Sequence, residues 1–266
     1  MSRPIQHAGA PFAAMHEKLV GLELDCSPLR DESLTPDLRL RALEVWSWRV
    51  KTEFRSAQTL TRFLSETLAA GDPMEVWAGA AEAVEDELRH TALCAAVVEG
   101  LGGTPELPDP PEELPSPEFQ ALPAAGRALA TAVGMLGVSE TLSVALIEDL
   151  HARCRHPVIS RVLGATLENE GEHRDYGWAY VRASLRRFDE DGFELARLVA
   201  RRALMDHEAM IAQVLDPLPT EERRLSHHLE PELADLGLFS EIREALVLEH
   251  AIATRVRPRL LELRLG

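Results

Sequence analysis

The chain has 266 residues, 28 of them basic and 44 acidic, for a formal charge of −16. That length suits one large domain or two small ones with a substantial core, and an acidic surface repels nucleic acid and anionic membranes, so neither is expected as a partner. Hydrophobic residues make up 45% and aromatics only 5%; Ala, Leu, Glu and Arg dominate, all of them helix formers, and few runs read as strand.

The N-terminal text Met1-Ser2-Arg3-Pro4-Ile5-Gln6-His7 carries no apolar signal core. Residues 1–37 read as an irregular extension with two short helical turns. The first long helical pattern runs from about residue 37 to 70 and stops at Gly71-Asp72-Pro73, where Asp72 is the expected cap of the next helix and Pro73 fits its first turn. That second helix runs to about residue 99, ahead of Gly100, Gly102 and Gly103. A proline-rich connector, about residues 104–123, cannot be continuous helix. The third helix is expected over about 124–155, broken by His156-Pro157, and the fourth over about 158–187. Asp189-Glu190-Asp191-Gly192 reads as a loop, followed by a fifth helix to about residue 215. Pro217 and Pro219 interrupt it. A last helix starts after the cap Ser240, and Pro258 is expected to kink or end it. The pattern is all-α: two antiparallel helix pairs joined by a long crossover, with further C-terminal helices. The expected division is 1–37 extension, 38–187 four-helix bundle and 188–266 helices packed on that bundle.

Three cysteines, Cys26, Cys94 and Cys154, stand far apart. No CxxC pair exists for a zinc ribbon or rubredoxin-type iron centre, and so sparse a set fits a reducing compartment. No stretch reaches the roughly 18 uninterrupted apolar residues of a membrane span, so the cytoplasm is the expected location.

Two helices carry Glu-x-x-His: Glu87 and His90 on the second, Glu170 and His173 on the fourth. Residues three apart leave one helical face. On the second helix the seam Val76, Ala80, Ala83, Glu87, His90, Cys94, Val97 alternates spacings of four and three. On the fourth, Ile159, Leu163, Thr166, Glu170, His173, Gly177 and Tyr180 do the same. This is the stripe that faces a core, so Glu and His stand where a bundle expects Leu. Glu53 interrupts the apolar seam of the first helix and Glu140 that of the third. Glu53 precedes Glu87 by 34 residues and Glu140 precedes Glu170 by 30, gaps that let each hairpin set its two glutamates at similar depth. Four buried ionised carboxylates repel one another strongly; two divalent ions balance them while both histidines stay neutral. Carboxylates with imidazole suit iron or manganese.

On these residues, from Glu53 to about Tyr180, the chain resembles the ferritin-like di-iron carboxylate superfamily, in which one Glu from each of two helices joins Glu-x-x-His from each of the other two. The resemblance implies a ferritin-like bundle with two iron ions, or a manganese/iron pair, held by Glu53, Glu87, His90, Glu140, Glu170 and His173. Glu87 and Glu170 would bridge the ions. It also implies that an acid before each motif orients the opposite histidine; Asp86 fits, and Asn169 departs from the pattern with a neutral amide.

Such sites either activate dioxygen against an organic substrate or oxidise and store iron itself. Roughly 80 residues follow the bundle, enough to roof a pocket or to form the interface of a homodimer, and small residues such as Ala57, Ala83, Gly137 and Ser143 flank the ligand seams. The expected function is therefore a dioxygen-dependent di-iron oxidoreductase, whose metal centre is itself the catalytic group, acting on a small organic substrate with an external electron donor. The alternatives are a ferroxidase or iron-binding protein, and a metal-stabilised helical scaffold without catalysis. Three family markers differ: no rubredoxin cysteines, Cys94 where the radical-forming subunit of ribonucleotide reductase has tyrosine, and Thr166 where arylamine N-oxygenases add a seventh ligand.

Overall fold

A computed structural model describes residues 2–5, 24–30, 34–109 and 115–266. Part of the predicted N-terminal extension, residues 6–23 and 31–33, lies outside the described residues, and so do 110–114 of the connector. The protein is mostly helical.

Pro36 opens α1 (Pro36–Ala70), where its missing amide is no loss. Thr35 caps it, the hydroxyl accepting from the Leu38 amide at 3.4 Å. Gly71 closes α1 at φ 72°, a left-handed turn open to glycine without a Cβ penalty, and the chain reverses into α2 (Met74–Gly100). Asp72 does not cap α2 as the sequence predicts. Its carboxylate turns inward, accepts from the Tyr180 hydroxyl at 2.7 Å and pairs with Arg187. A buried carboxylate requires such donors; Tyr180 comes from the fourth long helix and Arg187 from the turn just after it.

The N-terminal lead-in and the connector, both predicted irregular, meet in a two-stranded antiparallel ribbon of β1 (Ser2–Pro4) and β2 (Glu106–Pro108), with Ser2 opposite Pro108. After the short α3 (Pro117–Gln120) comes α4 (Ala124–Arg153), which ends two residues before the predicted stop and contains a π-helical stretch, Ala132–Ser139, that the sequence reading does not anticipate. α5 (Pro157–Leu185) follows. α6 (Glu190–Leu215) begins inside the segment predicted as a loop. α7 (Pro231–Asp235) is short, and α8 (Glu241–Ala251) runs through a second π stretch, Ile252–Val256, into α9 (Arg257–Glu262). The helix therefore continues past Pro258; the widened turn comes just before a residue whose ring and missing amide a regular turn rejects.

α1 lies along α2, and the second half of α4 lies along α5. The start of α4 meets α1, and α2 meets α5. α6 covers the π stretch of α4, while α8 packs on α6 and on the second half of α4. One apolar cluster includes Leu60, Ala83, Leu136 and Trp178, and a second includes Val50, Cys94, Leu150 and Leu163. Along α1, α2 and α5, the glutamates and histidines of interest separate residues of one cluster from residues of the other; on α4 the first cluster runs past Glu140 to Ala145 before the second begins. By length and composition α4 alone among the described helices is apolar enough to cross a membrane, and 67% of its apolar window is buried within the protein.

Hydrogen bonds fasten the C-terminal helices to this frame. Trp46 Nε1 donates to the Leu236 carbonyl at 2.9 Å, and Arg49 Nη2 to that of Gly237 at 2.8 Å. Asp149 accepts from Arg243 Nε at 2.8 Å and from Arg153 Nη2 at 2.7 Å. Burial alone would raise its pKa, but the two guanidiniums outweigh burial and hold it low.

Candidate metal centre

Each of the four long helices delivers its predicted residue to one place. Glu53 comes from α1, Glu87 and His90 from α2, Glu140 from α4, and Glu170 and His173 from α5. Glu87, His90, Glu140, Glu170 and His173 are buried, and Glu53 keeps 18% of its side chain exposed. Two overlapping groups of four can each hold a metal ion: Glu53, Glu87, His90 and Glu170, and Glu87, Glu140, Glu170 and His173, with the candidate ligand atoms of each group within 4.8 Å of one another. Glu87 and Glu170 belong to both. Glu170 sets Oε1 3.4 Å from His90 Nδ1 and Oε2 3.4 Å from His173 Nδ1. Glu87 does likewise, with Oε2 at 3.7 Å and Oε1 at 3.6 Å from the same two nitrogens.

The far side of each imidazole is fixed. His173 Nε2 lies 3.2 Å from Asp86 Oδ2, and His90 Nε2 lies 3.3 Å from Asn169 Oδ1. Each contact crosses to the opposite motif helix, the arrangement the sequence predicts for Asp86. Both oxygens are acceptors, so each Nε2 carries a proton, which leaves Nδ1 as the nitrogen that would turn a lone pair to a bound cation.

Among the described residues, Nδ1 of both histidines, both oxygens of Glu87 and Oε2 of Glu170 are buried without a hydrogen-bond partner. Buried polar atoms normally find one. Here these orphaned atoms are all metal-ligating types and belong to the two overlapping groups, so the donor set fits a metal.

The electrostatics agree. Burial, then the Glu87 charge, pushes the Glu53 carboxyl well above its usual range; burial and Glu170 do the same to Glu140. Glu87 is also raised, by burial and by Glu170. Against its burial, Glu170 is held far below the usual range by His173 and His90. Burial opposes protonation of His173, yet Asp86 and Glu170 push it up to about 9. His90 is also raised against its burial by Glu170 and Glu87. Without a cation, the cluster gathers protons to offset its own negative charge.

The π stretch of α4 ends directly before Glu140, a position where such stretches often re-aim a side chain. Its backbone lies against Gly177 of α5, where a Cβ would stand 2.6 Å from the Leu136 carbonyl oxygen; only glycine admits that approach. Thr141 donates to the Gly137 carbonyl at 2.6 Å and accepts from Trp178 Nε1 at 3.0 Å. Gly134, Gly137 and Gly177 were the available sequence signal for this close packing. Cys94 is buried beside the cluster, and burial and the Glu53 charge push its thiol well up, so it stays neutral. His207, His227, His228 and His250 take no part in either group.

No family model, curated protein or solved structure matches the chain.

Proposed function

We propose that the protein is a di-metal oxidoreductase that uses dioxygen to oxidise a small organic substrate, with electrons from an external donor. The observation that carries this reading is the buried set of four glutamates and two histidines, contributed by four helices and sharing Glu87 and Glu170 between two overlapping groups. The arrangement matches the ferritin-like di-iron pattern that the sequence resembles, and its oxygen-rich donors with one imidazole per group suit iron, or manganese with iron.

When bound and reduced, two iron ions would supply electrons to dioxygen. The residues of the chain set the conditions. Glu87 and Glu170, whose oxygens face both Nδ1 atoms, would help hold both ions. Asp86 and Asn169 keep the Nε2 protons in place and so hold Nδ1 free. The apolar layers on either side of the cluster exclude water, which strengthens every charge interaction inside. The helices that follow the bundle, α6 and α8, cover α4, which is consistent with a site closed around an organic molecule.

Titration of anaerobic protein with iron(II), followed by oxygen-electrode and absorbance readings, tests the reading. Dioxygen uptake should saturate near two iron(II) per chain in the absence of substrate. Sustained oxidation of tens of iron(II) per chain with retained ferric product would replace the reading with iron storage. No protein-dependent uptake would leave a metal-stabilised scaffold.

A further inference from the structure

α6 and α9 leave a groove of about 280 Å³ between them. Ala200, Leu204, Leu260 and Leu265 form its buried floor, and Leu261 is an open wall, 68% exposed. Arg197, Arg201 and Arg257 stand around it, and no Asp or Glu side chain lines it. This reverses the balance of a chain with 44 acidic and 28 basic residues. Two of the guanidiniums are engaged. Arg197 pairs with Glu190 and Glu194 at 2.8 and 2.7 Å, and Arg257 with Glu208 at 2.9 Å. Arg201 makes no ion pair among the described residues.

None of the six clustered glutamates and histidines lines this groove. Its volume sits at the lower edge of ordinary ligand sites, which suits one alkyl chain better than a ring system. A leucine floor complements that chain, and a guanidinium offers paired donors to a carboxylate. We propose that the groove binds a free medium-chain alkyl carboxylate, its chain along Leu204 and Leu260 and its head on Arg201.

Calorimetric titration of the full chain with hexanoate, octanoate, decanoate and dodecanoate, each below its aggregation concentration, tests this. One molecule should bind per chain. Affinity should rise about fourfold per methylene until the groove is full. Decanol and decyltrimethylammonium should bind at least about tenfold more weakly than decanoate. Arg201→Ala should cost decanoate about tenfold, and Leu261→Asp should flatten the chain-length series. Both positions are exposed, so both variants should keep the wild-type circular dichroism and melting; should Arg201→Ala misfold, Arg201→Gln serves the same purpose. Equal binding of decyltrimethylammonium and decanoate would overturn the proposal, as would an unchanged Arg201→Ala or several molecules bound per chain. Self-association that Leu261→Asp abolishes would assign the groove to a second copy instead, and decanoate affinity appearing only with vesicles would assign it to a lipid surface.

Discussion

The α1–α2 and α4–α5 hairpins carry the same lettering, a glutamate followed about thirty residues later by Glu-x-x-His, yet they build unequal halves. In the first, α1 is regular through Glu53, which keeps some contact with solvent, and His90 leans on the neutral amide of Asn169. In the second, α4 widens just before Glu140, which is buried, and His173 leans on the carboxylate of Asp86. A repeated motif thus gives two halves of one cluster with different basicity and access. The half with the carboxylate-backed imidazole should hold its ion more tightly, because a charged acceptor at Nε2 raises the donor strength of Nδ1.

The largest effect should come from removing what the halves share. Glu170→Ala or Glu87→Ala should abolish metal uptake at both positions, since each residue faces both Nδ1 atoms. His173→Ala should empty chiefly the second half. Metal analysis after equilibrium dialysis against iron(II) or manganese(II) reads the difference. Full occupancy in Glu170→Ala would remove that residue from the site.

The comparison also marks how far the sequence can be read. Glu53, Glu87, His90, Glu140, Glu170 and His173 were legible because a charged residue on an apolar seam breaks a period that is otherwise kept, and four such breaks at matched depth agree with one another. Asp86 was legible from its place beside Glu87. The π stretch was not, because its letters, Ala132 to Ser139, suit an ordinary helix, and only the approach of α5 at Gly177 reveals the wider turn. Asp72 misled for a related reason. Its local context is that of a cap, while its partners Tyr180 and Arg187 lie more than a hundred residues away. Ties such as Arg243 to Asp149 are likewise long-range and leave no periodic trace.

Next in size is the pH response of the metal-free protein. Glu53, Glu87 and Glu140 keep their protons above the pH at which an unfolded chain releases them, and His173 keeps its own up to about 9. Between about 4.5 and 9 these groups bind more protons in the native state than in the unfolded state, so their contribution to stability falls as pH rises. Glu170, held low, acts in the opposite sense: its contribution is present above the ordinary glutamate value and is lost only in acid. Metal ions would replace the protons, so binding should strengthen with pH. Chelated protein should melt at a lower temperature at pH 9 than at pH 6, and the gap to metal-loaded protein should widen over that interval. The double variant Glu53→Gln with Glu140→Gln should flatten the slope. Scanning calorimetry at both pH values checks this, and a slope unchanged by the double substitution would place the titration elsewhere.

The smallest effect is the most specific to the inequality of the halves. Asp86→Asn gives His173 the neutral partner that His90 already has, while Asn169→Asp gives His90 the carboxylate that His173 already has. Neither substitution replaces any of the six clustered residues, and each changes one terminal atom, so the packing should be retained. Losing the carboxylate behind a ligating histidine costs about tenfold or more in metal affinity, so Asp86→Asn should weaken the tighter of two stepwise binding constants by about that factor and draw the two together. Asn169→Asp should strengthen the weaker constant by a smaller factor, because the added carboxylate is partly offset by bringing another negative charge next to Glu53, Glu87 and Glu170. The double exchange should restore a difference between the constants with the halves reversed, which selective loss of the weaker ion in His90→Ala and His173→Ala backgrounds would identify. Manganese(II) titrations followed by electron paramagnetic resonance resolve the two steps. If Asp86→Asn left both constants unchanged, the contact between His173 and Asp86 would be packing alone, and the inequality of the halves would rest on the exposure of Glu53 and the widened turn before Glu140.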